Sequence, residues 1–203
     1  AEPAPVQELH LRVFDVFQRL APRAYTDVPV RIVDIDDASL ERIGQWPWPR
    51  SEVGALVNGL FEMGAAVVVF DAVFAEPDRT SPLRLLDGMT GLTVNEGLRR
   101  EIEQLPDHDA VLAGAFANGH VVTGFVFTND ARGGKPRAAA GFSYGGDPFA
   151  HLFPRSGTVA NLPALEAAAS GNGAFTVDPD LDGIHRRVPL VLSHQDELYP
   201  SLA

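Results

Sequence analysis

The chain has 203 residues, 45% of them hydrophobic, which suffices to bury a core in one large domain or two small ones. Sixteen basic residues against 27 acidic ones give a net charge of −11, and the cations are scattered, so a nucleic-acid phosphate backbone is repelled; docking on anionic lipid is disfavoured too, whereas tethering beside a membrane is not. There is no cysteine, hence no disulfide framework, thiolate metal site or cysteine nucleophile, and no run approaches the roughly 18 consecutive apolar residues of a bilayer span.

Ala1 to Val6 is rich in Ala and Pro, without the basic and apolar regions of a signal peptide, and reads as a processed end. From Val6 to Leu20 the residues Leu9, Val13, Val16, Phe17 and Leu20 recur near a helical period, which predicts an amphipathic helix stopped before Pro22. Val28 to Ile35 reads as a buried strand, with Val30, Ile32, Val33 and Ile35 nearly continuous. Asp36 or Asp37 caps a short helix through Ile43, closed by Gly44. Two prolines make Trp46-Pro47-Trp48-Pro49 a stiff aromatic loop. Ser51 caps a helix through Phe61, and Ala65 to Phe70 is the next strand, ending at Asp71. Strand, helix, strand predicts a right-handed βαβ unit with parallel strands at Val28–Ile35 and Ala65–Phe70.

Pro77 to Met89 is polar and turn-rich. A helix follows from about Val94 to Leu105, with Val94, Leu98, Ile102 and Leu105 as its stripe. Asp107 or Asp109 caps another ending near Asn118-Gly119, and His120 to Thr128 is a third strand. Asn129 to Gly146 predicts a long surface excursion. Ala174 to Val177 and Arg186 to Ser193 read as a hairpin joined through Asp178-Pro179-Asp180-Leu181-Asp182-Gly183. The expected fold is α/β: a mixed, mainly parallel sheet flanked by helices, with a C-terminal β-hairpin and a long N-terminal helix. Residues 1–27 form the helical segment and 28–203 the α/β domain, a single domain overall.

In parallel α/β sheets ligands collect beyond the carboxyl ends of the strands. Asp34 and Asp36 share a face there, with Asp71 expected nearby, and such carboxylates hold a divalent cation or an amine, do acid/base work, or simply cap helices and brace loops. Trp46 and Trp48 form either a ligand-stacking platform or a lid over the core. Arg50 binds an anion, or pairs with Asp37 or Glu52 at the surface. Asp178, Asp180, Asp182 and Gly183 match the opening half of a calcium loop. Its twelfth position, however, is Pro189 where a bidentate Glu is required, so a turn braced by side-chain to backbone bonds competes with a cation site, and Arg186 and Arg187 are placed to pair with these carboxylates. No phosphate-binding loop, dinucleotide fingerprint, His-Glu-x-x-His or Gly-x-Ser-x-Gly occurs.

Several pieces form an ordered series: Val30-Arg31-Ile32-Val33-Asp34-Ile35-Asp36-Asp37-Ala38-Ser39-Leu40, Ile43-Gly44-Gln45-Trp46-Pro47-Trp48-Pro49-Arg50, and Phe70-Asp71-Ala72-Val73-Phe74-Ala75-Glu76-Pro77-Asp78 with Ser81-Pro82. With Asp178-Pro179-Asp180, Asp182-Gly183, Arg186 and the closing Tyr199-Pro200-Ser201-Leu202-Ala203, the series resembles the CHASE sensors of the second type, the cyclase- and histidine-kinase-associated sensory extracellular domains. The resemblance implies a periplasmic or extracellular sensor within a multi-pass membrane protein. Its partners would be its own transmembrane and cytoplasmic effector domains, with outputs such as a class III adenylate or guanylate cyclase or a histidine kinase. It also implies that the N-terminal helix continues out of a membrane span and carries signal. It supplies no binding residues.

The expected function is a non-enzymatic signal-input segment, acting as a homodimer. It would bind an unknown small molecule or ion near Asp34, Asp36, Asp71, Trp46, Trp48 and Arg50, with no cofactor beyond a possible divalent cation. Two other readings stand beside it. One is a carboxylate-based metal-dependent hydrolase, the other a dimerisation module without a small ligand.

Overall fold

A computed structural model describes residues 3–89, 95–152 and 154–202. The chain divides into two units, one of Ala1–Gly44 with Asp178–Arg187, the other of Gln45–Val177 with Val188–Ala203.

In the first unit, helix α1 spans Ala4–Leu20 and opens with proline in its first turn, where the missing N–H costs nothing. Only Leu11 of α1 is buried; the stripe of Leu9, Val13, Val16, Phe17 and Leu20 faces outward. Helix α2 spans Asp37–Ile43. Its N-cap is Asp36, which accepts the Ser39 N–H at 2.9 Å and the Ser39 hydroxyl at 2.6 Å, and Gly44 ends it at φ 117°.

The expected strand at Val28–Ile35 does not form. The segment carries no strand pairing, and Val30, Ile32, Val33 and Ile35 are exposed. Strand propensity is realised only where a neighbouring edge supplies the ladder, and here an apolar run has none. The predicted βαβ unit at Val28–Ile35 and Ala65–Phe70 is corrected accordingly.

In the second unit, α3 (Arg50–Glu62) leads to β1 (Val68–Phe70). Helix α4 (Pro82–Gly88) lies inside the stretch expected to be turns, started by a proline acceptable in a first turn. Helix α5 (Glu96–Glu103) begins at its N-cap Asn95, and Val94 of the predicted stripe lies outside the described residues. Helix α6 (His108–Ala117), N-capped by Asp107, precedes β2 (Val121–Thr128), the longest strand. β1 pairs parallel to β2 through Val68–Val121 and Phe70–Thr123, so the crossover runs from β1 to β2 by way of α4, α5 and α6.

The chain returns through β3 (Gly157–Val159), antiparallel to β2, and α7 (Pro163–Ala168), to β4 (Gly171–Ala174), parallel to β2. The mixed, mainly parallel sheet is as expected. The C-terminal hairpin is present too, but its strands are β5 (Val191–His194) and β6 (Glu197–Pro200). Gln195 and Asp196 turn it, at φ 48° and 59°. A two-residue left-handed turn matches strand twist, whereas the 178–183 loop belongs to the other unit.

Phe125, Phe127, Ala174, Leu192 and Tyr199 bury one core, with Tyr199 edge-on to both phenylalanines. Phe70, Phe74 and Phe116 pack a second aromatic cluster. The excursion after β2 is partly pinned: Arg137 donates to the carbonyls of Glu166 and Ala169, and Asn172 donates to the Arg137 carbonyl at 2.7 Å.

Candidate functional site

The end of the aromatic loop is also the start of α3. Pro49 offers no side chain to cap this helix, and the first-turn N–H of Arg50 is instead taken at 2.6 Å by Asp78, a residue 28 positions further on. A carboxylate at a helix N-terminus satisfies an orphan donor and faces the positive end of the helix dipole. Asp78 also accepts the N–H and hydroxyl of Thr80, and its Oδ2 lies 3.2 Å from His108 Nδ1. Its own N–H goes to Asp109 at 2.9 Å. Ser81 ties the same loop to α6, donating to Asp107 at 2.7 Å and accepting the His108 N–H at 3.0 Å. Thus one short loop, Asp78 to Ser81, joins the N-termini of α3 and α6.

The charges follow this wiring. Burial alone would raise the Asp78 carboxyl, but the hydrogen bonds from Arg50 and Thr80, with His108 beside it, hold it below the ordinary value. Burial pushes the Asp109 carboxyl up, against the Asp78 N–H that it accepts. Burial lowers the Arg50 guanidinium, opposed by Asp78 and Asp109, and an arginine in this setting stays a cation at neutral pH.

Above the Arg50 end of α3 lies a cavity of about 290 Å³, lined by Trp46, Pro47, Arg50, Val73, Phe74, Ala75 and Glu76. Trp46 is joined to Pro47 by a cis peptide bond and meets Trp48 edge to face at 5.7 Å. Trp48 is buried, as a lid over the core would be, while Trp46 is partly exposed on the cavity wall. The segment after β1 lines it as well. Asn161 anchors that segment, accepting the Phe74 N–H and donating to the Gly124 carbonyl, each at 2.8 Å.

Of the residues singled out in the sequence, Trp46, Trp48, Arg50 and Asp71 lie in the second unit, and Trp46 and Arg50 line this cavity. Asp71 is exposed in the segment after β1. Asp34 and Asp36 lie in the first unit, where Asp36 caps α2. Within the second unit, the carboxylates beside Arg50 are Asp78 and Asp109. Asp78, Asp109, His108 and Asn161 were not legible as site residues. In the sequence Asp109 is one more acid in a helical first turn, and no spacing marks Asn161 as a pin.

The acidic loop at 178–183 has a different organisation. Arg186 donates from Nε and one terminal nitrogen to both oxygens of Asp15, at 2.7 and 2.8 Å, and from its terminal nitrogens to Asp180 and Asp182 at 2.7 to 3.1 Å. Two of the three carboxylates proposed for a cation therefore address a guanidinium that also holds α1. Among the described residues no group of three or more carboxylates and imidazoles converges as a metal site. A second cavity, of about 350 Å³, lies between α1 and this loop beside Gln7, His10, Leu11 and Arg187. Arg187 is exposed there.

A cavity at a helix N-terminus of a mixed α/β scaffold is a setting in which such folds bind small molecules. The chain belongs to the CHASE2 domain family, whose model matches residues 2–203. That family comprises extracellular sensory domains of receptors. No curated protein and no solved structure matches the chain. Among the described residues no helix is long and apolar enough to cross a membrane.

Proposed function

We propose that this chain is the extracytoplasmic signal-input domain of a transmembrane receptor whose output is a class III adenylate or guanylate cyclase or a histidine kinase. It binds a small ligand in the cavity at the start of α3. The observation that carries this reading is the cavity itself, walled by an accessible indole and a buried cation within a domain of a sensory family. A ligand there touches the first turn of α3 and the loop after β1 together. Coupling requires that it bind one arrangement of those elements better than the other, typically by 1–3 kcal/mol.

The receptor acts as a homodimer, with α1 as the seam. Val6, Leu9, Val13, Val16 and Leu20 are spaced 3, 4, 3 and 4 apart and all are exposed. Such spacing is the a/d pattern of a coiled coil. The opposite side of α1 is fixed by Asp15 to Arg186, so one helix links the acidic loop to a second copy.

The test is the output of the intact receptor in membranes, for wild type and Trp46→Ala. Trp46 is partly exposed on the cavity wall, so its loss is expected to abolish the stimulus response while leaving basal output. An unaltered response contradicts the assignment of the site.

A further inference from the structure

We propose that the cavity at the α3 N-terminus binds a small monocarboxylate through the side chain of Arg50, an inference that rests on the sensory reading above and gives its ligand a chemical class. A guanidinium carries five N–H donors, and burying them without acceptors is unfavourable. In this chain Arg186 shows the satisfied state, with five contacts to three carboxylates at 2.7 to 3.1 Å. Arg50 shows the opposite state. It is 8% exposed, and its Nε is buried without a hydrogen-bond partner. The nearest carboxylate oxygen, Asp109 Oδ1, stands 3.9 Å from Nε, beyond bonding distance, and both of those atoms lack a partner. Phe74 lies under the guanidinium at 4.5 Å. That contact uses the face of the cation, not its N–H edge.

A planar acceptor with two oxygens would complete the N–H edge, and Arg50 is one of the residues lining the cavity. A carboxylate matches a guanidinium fork bidentately. Trp46 and Pro47 on the same wall offer an apolar surface for the rest of the ligand. Glu76, also on the wall, sets the charge limit: a second negative charge on the ligand would face this carboxylate, so dicarboxylates and phosphate are disfavoured against monoanions. Asp78 and Asp109 already offset part of the Arg50 charge, which keeps the binding reversible, as sensing requires. A volume of about 290 Å³ is at the low end of small-molecule cavities.

The experiment is isothermal titration calorimetry on the 203-residue chain with benzoate, its neutral isostere benzamide, succinate and inorganic phosphate. Benzoate is expected to bind at least about tenfold more tightly than the other three, since only it offers one bidentate anion on an apolar body. Arg50→Gln is expected to weaken benzoate by about tenfold or more, and Glu76→Gln to narrow the gap between benzoate and succinate. Arg50 is buried and its replacement could unfold the chain. Circular dichroism therefore accompanies each variant, and Glu76→Gln at an exposed position carries the test independently.

Equal binding of benzoate and benzamide, undiminished benzoate binding by folded Arg50→Gln, or no binding of any carboxylate overturns the proposal. A cationic or neutral ligand whose binding Trp46→Ala weakens would overturn the carboxylate class and leave the sensory cavity standing. The receptor output of Trp46→Ala decides the latter separately.

Discussion

Arg186 and Arg50 are the same side chain in two settings, and the difference lies in what surrounds the N–H edge. Around Arg186, the carboxylates of Asp15, Asp180 and Asp182 take the donors, and the hydrogen bonds from Arg186 hold Asp182 down to about 2 and Asp15 below its ordinary value. An acid whose folded value is depressed adds stability above its unfolded value and loses it as pH falls through the folded one. For Asp182 that window runs from about 4, the unfolded carboxylate value, down to about 2. Arg186→Gln is therefore expected to flatten the loss of stability between these pH values, read by urea unfolding at stepped pH. An unchanged slope would contradict the role given to this guanidinium. The pairing was open in the sequence as one of two readings, because Arg186 stands four residues after Asp182. Its reach to Asp15, 171 positions away, was not.

At the scale of elements, β2 shows how closely the sheet is built around missing side chains. A Cβ on Gly124 would lie 2.6 Å from the Phe175 ring and 2.7 Å from the Phe70 carbonyl oxygen, the latter being backbone that cannot turn aside. Gly124→Ala is expected to cost about 2 kcal/mol of unfolding free energy in urea denaturation; a loss below about 0.5 kcal/mol, the scatter of surface changes, would show that the strand relaxes freely. Helix α1 makes the opposite demand, since its apolar seam has no partner within its own unit. Val13→Glu is expected to turn a dimer into a monomer in sedimentation while retaining its helix content. Persistence of the dimer in Val13→Glu, or a wild-type monomer, would contradict the seam.

These elements also show what periodicity could and could not reveal. Helices α1, α3 and α6 and strand β2 announced themselves in the sequence, although α3 starts at Arg50 behind Pro49 and not at the expected Ser51 cap. The Val28–Ile35 run has the same apolar content as a buried strand, and nothing local reports whether an edge awaits it. Gln195 and Asp196 turn the hairpin without the glycine or asparagine that marks such turns in a sequence. Pro82, within the stretch read as turns, starts α4.

For the whole molecule, the aromatic loop and Arg50 were visible as candidates, while the partners that make them a site were not. Asp78, Asp109 and Asn161 come from 28 to 111 positions beyond Arg50, and only the fold brings Asp78 and Asp109 to Arg50 and uses Asn161 to anchor the segment after β1. Burial of Arg50 was likewise illegible, because a cation beginning a helix is ordinarily a surface residue. The second unit thus brings its accessible indole, a guanidinium with an unpartnered Nε and the N-terminus of α3 to one cavity, which is where sensing is placed.

The two tryptophans of the chain allow this to be tested directly by ¹H–¹⁵N correlation spectroscopy of their indole N–H groups during titration with benzoate. Trp46 lines the cavity and Trp48 is buried beside it. The account predicts that the Trp46 signal shifts progressively to saturation and that the Trp48 signal moves less. Calorimetric binding with an unmoved Trp46 signal would place the ligand elsewhere and contradict it.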